Sequence, residues 1–442
     1  MKYVQKLKKS ERLAMFYEKT TLGNGLTVIT ERMPDVRSVS LGIWFNVGSR
    51  DERADQAGLT HFMEHMMFKG TPTRSALEIS QQFDSLGAEL NAFTSKEYTC
   101  YYARFVDDKL DRALEMLADM VNNSSFSQET IDPEREVVLE EIARSEDTPD
   151  DKIYDVLSDA MLPTHPLGRP VLGTRELVAG YKHANCAAFH DEHYYSGNIV
   201  VSAAGNVDHD RLVQLCDALF ADAKVGTKAS REKTVEGDRQ MFACMRKETE
   251  QAHVLVGLPW MPFDDERRFA GAVMSAMLGG SMSSRLFQEV REKRGLVYAI
   301  YSHAEAHQGL GTFSVYAGTR PENIEEVVSI ATAEMQKMAE GGTDAAELSR
   351  TTESLVGQLL LGLESTATRM VRMGRTQTMG GPLLSADELV ERYRAITCED
   401  VRDIASQILT QKPTVAVISP YDEDKVLESL TKAFKANGKD FQ

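Results

Sequence analysis

The chain has 442 residues, a net charge of −17 and 42% apolar content, too long for one ordinary core, so two or more domains are expected. No apolar run approaches the ~18–20 residues of a membrane-spanning helix, which excludes a membrane partner of that kind. The acidic balance argues against nucleic acid as the main partner.

The opening segment, Met1 to Tyr17, carries Lys2, Lys6, Lys8 and Lys9 but no following apolar stretch, so it does not read as a secretory signal. Gly23-Asn24-Gly25 marks a hairpin turn before the strand-like Leu26-Thr27-Val28-Ile29. Val39 to Val47 reads as a strand and Gly58 to Phe68 as a helix. Leu90 to Phe105 alternates and is rich in Thr and Tyr, as one or two strands would be. Amphipathic helices are predicted at Lys109 to Met120 and from Asp132 onward, with Asp132 as N-cap and Pro133 at the first helical position. This mixture suggests an α+β fold, a sheet backed by helices. Five cysteines, Cys100, Cys186, Cys216, Cys244 and Cys398, are odd in number and scattered. They read as reduced thiols, which favours a cytoplasmic location.

The pattern then repeats. Asp51-Glu52-Arg53 with Gly58 returns as Asp265-Glu266-Arg267 with Gly271, an offset of 214. Tyr102-Ala103 returns as Tyr316-Ala317, again 214 on. Glu176-Leu177-Val178 with Tyr181 and Cys186 returns as Glu388-Leu389-Val390 with Tyr393 and Cys398, 212 on. The shared offset points to a duplicated domain: a first copy over 1–223, a polar linker over 224–239 and a second copy over 240–442.

The chemistry concentrates in His61-Phe62-Met63-Glu64-His65. Two His four positions apart lie one turn apart on one helical face, the spacing that lets two imidazoles grip one metal ion. A catalytic zinc usually takes three protein ligands, so a third is expected from the same copy. Glu134 and Glu141, two turns apart, face the same way; one could bind metal while the other holds a ligating His in its tautomer. Glu140 is a rival ligand, rotated by ~100° along the helix. At the offset of 214, Ser275, Leu278 and Gly279 stand where His61, Glu64 and His65 stand, and Leu355 where Glu141 stands, so one metal per chain is expected. His190-Asp191-Glu192-His193 reads as structural. His303 and His307 read as lying in a loop-like region, and Gly309-Leu310-Gly311 as a hairpin turn.

His-x-x-Glu-His followed after 76 residues by a Glu in the Glu-Arg-x-Val-Val-x-Glu-Glu context resembles the inverted-motif zinc peptidases, the family of pitrilysin, insulin-degrading enzyme and the mitochondrial processing peptidase. Length and duplication resemble the processing-peptidase branch. The resemblance implies two homologous domains arranged as a clamshell. It implies zinc held by His61, His65 and Glu141, with Glu64 as general base and Glu134 as a supporting acid. The run Arg291-Glu292-Lys293-Arg294-Gly295-Leu296-Val297-Tyr298 resembles the family's Arg-x6-Tyr element, which implies that Arg291 and Tyr298 contact the substrate. Leu90-Asn91-Ala92-Phe93-Thr94 resembles the family's edge strand, which implies that Asn91, Ala92 and Phe93 bind a peptide as an added strand.

The expected function is a zinc metalloendopeptidase acting on peptides or unfolded segments, in leader-peptide processing or peptide clearance. The alternative is a non-catalytic or partner-dependent subunit. Because one chain carries both the zinc motif and the Arg291/Tyr298 element, a homodimer is expected. Removing everything after Gln240 is expected to abolish turnover while leaving bound zinc.

Overall fold

The computed structural model describes residues 16–226, 231 and 239–441. The lysine-bearing start of the chain and most of the 224–239 linker fall outside these residues. The chain divides into two compact units, each built on one mixed sheet.

The first unit holds β1 (Glu18–Thr21), β2 (Thr27–Arg32), β3 (Ser38–Phe45), β4 (Glu89–Thr94), β5 (Thr99–Val106) and β6 (Ile199–Gly205), in the order β1-β2-β6-β3-β5-β4. Only β2 and β6 run parallel; the other pairings are antiparallel. The hairpin before β2 turns at Gly25, whose φ of +96° favours glycine. The predicted strand over Leu90 to Phe105 is the β4–β5 hairpin.

The second unit repeats the plan with β7 (Phe242–Arg246), β8 (Ala252–Trp260), β9 (Val297–Ala306), β10 (Gly311–Thr319) and β11 (Thr414–Ser419), ordered β7-β11-β8-β10-β9. Again one pair, β7 with β11, is parallel and the rest are antiparallel. Gly309 turns the β9–β10 hairpin with φ +89°. His303 lies within β9 and not in a loop, because the alternating run Val297–Ala306 continues past it; His307 follows directly.

The compact units do not follow the two sequence halves. Residues 144–169 belong to the second unit and residues 361–385 to the first. In the first unit the helix Thr366–Met379 covers the face formed by Ile29, Trp44, Cys100, Val200 and Ala204. Gly374 makes the approach possible, since a Cβ there would lie 2.1 Å from Trp44 Nε1. Trp44 Nε1 donates to Ser202 Oγ at 2.8 Å, and Ser202 Oγ donates to the Met370 carbonyl at 3.1 Å. In the second unit the helix Pro149–Met161 lays Ile153, Leu157 and Met161 on Leu255, Tyr316, Ala416 and Ile418. Periodicity reveals that such a helix has an apolar face, but not which sheet that face meets. A chain cut after Gln240 would therefore lose the helix that covers Trp44, so the first unit is incomplete in that piece and its retention of zinc is no longer expected.

The acidic helix spans Gln128–Asp147 and starts one turn before the sequence places it, with Pro133 inside. Thr130 and Ile131 N–H groups already donate to the Ser127 carbonyl. The ring removes only the bond to the Glu129 carbonyl, at an exposed residue. Asp132 is instead a side-chain partner, accepting from Gln128 at 2.7 Å and pairing with Arg135 at 3.0 Å.

Candidate metal centre

The motif helix Leu59–Met66 buries Leu59, Phe62, Met63 and Met66 in the first core and leaves His61, Glu64 and His65 on the remaining face. Its first turn is closed by a buried acid: Glu52 accepts from the Gly58 and Thr60 N–H groups at 3.0 and 2.7 Å. Gly58 enters the helix at φ +92°, with Leu172 and Gly173 backbone packed where a Cβ would stand. The next wall is the acidic helix Gln128–Asp147, which turns Glu134 and Glu141 to the same side. The third is the edge strand β4, which ends in Thr94.

These elements bring His61, His65 and Glu141 together. Glu141 Oε2 lies 3.6 Å from His61 Nε2 and 3.4 Å from His65 Nε2. Among the described residues, these three offer ligand atoms all within 4.8 Å of one another. An ion holding tetrahedral N and O ligands at ~2.0–2.1 Å sets those atoms about 3.3–3.4 Å apart, so the donor set fits zinc in spacing and in chemistry. Glu140 is exposed and lies outside this group.

Glu134 supports the site from behind. Its Oε1 accepts from His65 Nδ1 at 2.7 Å, which leaves Nε2 directed at the ligand position. Its Oε2 meets Lys69 Nζ at 2.6 Å. Burial alone would push the Glu134 carboxyl up, but the bonds from His65 and Lys69 hold it below the usual range. His65 is subject to the reverse balance: burial disfavours its charged form, while the bond to Glu134 and the charges of Glu141, Glu134 and Glu64 raise its pKa. Burial, with the adjacent His65, drives His61 down to about 3. His61 Nδ1 is buried and has no hydrogen-bond partner among the described residues.

Glu64 does not join the ligands. Its Oε2 accepts from Thr94 Oγ1 at 2.5 Å, and burial raises its pKa against that bond. Lys69 and Thr94 are the two contributors that the sequence reading missed. Thr94 had a signal, since the two-residue period puts it on the same strand face as Ala92. Lys69 had none, because nothing in its spacing names Glu134 as a partner.

Asn91, Ala92 and Phe93 lie on β4, which among the described residues pairs with β5 alone and so forms the sheet edge. The Phe93 ring turns to the opposite face and packs edge-on against Trp44 at 5.5 Å. A substrate role for Phe93 would therefore use its backbone. In the second unit the Arg291 guanidinium lies over the Tyr298 ring at 5.4 Å, and Tyr298 is 77% exposed. Arg291 sits in a π-helical turn, Phe287–Glu292, a distortion frequent at functional sites and invisible to periodicity. His190 is structural: its Nε2 bonds the Val121 carbonyl at 2.8 Å and its ring stacks on Tyr194.

Comparison with known proteins gives the family. The family model described as Insulinase (Peptidase family M16) matches residues 27–175, and that described as Peptidase M16 inactive domain matches residues 183–355. An uncharacterized zinc protease of Streptomyces coelicolor is 43% identical over 438 residues, covering 97% of this chain and 95% of its own. The chain belongs to peptidase family M16. An uncharacterized zinc protease of Bacillus subtilis, YmxG, is 38% identical over 90% of this chain and 97% of its own length. The fold is shared with a protease from Helicobacter pylori (TM-score 0.85, 22% identity, 91% of this chain and 99% of that one). It is shared as well with a peptidase M16 inactive domain from Pseudomonas fluorescens (TM-score 0.87, 21% identity, 92% and 99%). Among the described residues of this M16 chain, no helix is long and apolar enough to cross a membrane.

Proposed function

We propose that this M16 chain is a zinc-dependent endopeptidase that cuts peptides or extended, unfolded segments. The observation that carries the reading is the convergence of His61, His65 and Glu141, with Glu64 beside them and held off the ligand position by Thr94. Zinc, when bound, supplies Lewis acidity that polarises a water and the peptide carbonyl. Glu64 takes the proton from the attacking water and returns it to the leaving amine. The Thr94 hydroxyl fixes Glu64 through Oε2 and leaves Oε1 for the proton. Burial keeps the Glu64 pKa above its ordinary value, which brings the base nearer the pH at which it must both take and give a proton. The outer side of β4 offers unpaired backbone groups to an extended peptide. Arg291 and Tyr298 are proposed as further substrate contacts on the strength of the family resemblance, with one zinc per chain and a homodimer as the working assembly.

Glu64→Gln tests the reading. The variant is expected to retain zinc and to lose hydrolysis of a quenched peptide. Full activity in the variant would refute the assigned base. Zinc-loaded wild type without activity on any peptide would favour a non-catalytic subunit.

A further inference from the structure

The second unit keeps the frame of the metal centre without its ligands. Helix Arg268–Gly279 follows β8 as the motif helix follows β3, β9 forms the edge as β4 does, and helix Ala345–Gly362 occupies the place of the acidic helix. Ser275 and Leu355, which stand at the counterparts of His61 and Glu141, line a cavity of about 550 Å³. That volume suits a ligand of two or three residues.

The lining points to one kind of ligand. Among the described residues no Asp or Glu borders the cavity, in a chain of net charge −17. Arg350 borders it and makes no ion pair or hydrogen bond among the described residues. The acids one turn away on its helix are already committed: Glu347 is paired with Arg285 at 2.6 Å and Glu353 with Arg394 at 3.0 Å. The guanidinium is thus a fixed positive charge with its fork free for a carboxylate. His303 and the hydroxyls of Ser281, Ser283 and Ser354 add further hydrogen-bonding groups. Met282, 74% exposed, and Leu355 supply an apolar side. A single permanent cation matches a singly charged ligand better than a polyphosphate, and the apolar side asks for a hydrophobic body next to that charge.

We propose that this cavity binds the C-terminal carboxylate of a short peptide, with Arg350 taking the carboxylate and the Met282–Leu355 side taking the terminal side chain. The choice of a peptide among anions rests on the peptidase reading, since peptide cleavage creates free C-termini.

The test uses the full-length Glu64→Gln chain, in which peptides are not consumed. The probes are acetyl-Ala-Ala-Leu as the free acid, the same peptide as its amide, and inorganic phosphate. Binding is read from the ¹³C-methyl NMR resonance of Met282, assigned through Met282→Leu. The free acid is expected to move that resonance and to bind at least about tenfold more tightly than the amide, the low end of what one charge-assisted bond supplies. Arg350→Met should lose about the same factor, and Arg350→Lys should keep part of it. Equal affinity for acid and amide, an unchanged affinity in Arg350→Met, or no response of Met282 would overturn the proposal. Phosphate binding as tightly as the acid would overturn the peptide assignment. Hydrolysis of a quenched peptide by the wild type is measured separately. Activity with a silent Met282 removes the cavity proposal alone, and inactivity with a responsive Met282 removes the peptidase reading alone.

Discussion

Replacing Glu134 by Gln tests how the zinc ligands are oriented. The Glu134 carboxylate holds His65 Nδ1 at 2.7 Å and Lys69 Nζ at 2.6 Å, so the imidazole presents Nε2 to the ligand position. Glutamine keeps the shape and an acceptor oxygen but removes the charge. A hydrogen bond to a charged group contributes roughly 1.5–3 kcal/mol, of which the neutral acceptor recovers a part. Loss of such outer support typically costs about 10–100-fold in metal affinity, or ~1.4–2.7 kcal/mol. Competition with a chromophoric zinc chelator reads the dissociation constant directly, without reference to turnover. The expected result is weakening within that range, with the metal-free fold retained. A dissociation constant within roughly threefold of wild type would refute the claim that Glu134 sets the His65 tautomer.

Three further outcomes follow from the same geometry. Thr94→Val should lower kcat by roughly tenfold or more while zinc affinity stays unchanged, and Thr94→Ser should restore most of it, because only the hydroxyl fixes Glu64; equal kcat in the Val and Ser variants would contradict this. Zinc affinity should be flat above the raised His65 pKa and fall roughly tenfold per pH unit below it, since a proton must then leave His65 before the metal binds. His61, neutral down to about 3, adds no such penalty near neutrality, and an affinity that rises as the pH falls would be inconsistent with this balance. Gly374→Ala should destabilise the chain by up to about 2 kcal/mol, an overpacking cost of about 1–3 kcal/mol against Trp44 less the ~1 kcal/mol gained in helix propensity; an unchanged or higher urea midpoint would mean that the helix can shift away.

The parts of this protein that were legible in its sequence share a short range. The His61–His65 spacing, the two-turn step from Glu134 to Glu141 and the β4–β5 hairpin are set by the periods of a helix and a strand. The duplication was legible because its two copies keep a near-constant offset, 214 and then 212. Long-range pairing was not. Nothing local says that Thr366–Met379 covers Trp44, or that Pro149–Met161 covers the second sheet, and a boundary drawn from the repeat does not say in which compact unit either helix packs. Arg231 makes the same point within the proposed linker: it is tied to Asp51 at 2.6 Å and to the Glu97 carbonyl at 2.6 Å, although its neighbourhood reads as a polar connector. Lys69 and Thr94 escaped because their partners are chosen by tertiary contact.

The most direct measurement is digestion of a mixed library of unstructured peptides by the purified full-length chain, with cut positions identified by mass spectrometry. It is run with zinc, after chelation, and after zinc is restored. Internal cuts that vanish on chelation, return with zinc and are missing from the zinc-loaded Glu64→Gln chain are the expected result. Intact peptides in the presence of zinc, or cuts that survive its removal, would contradict the account.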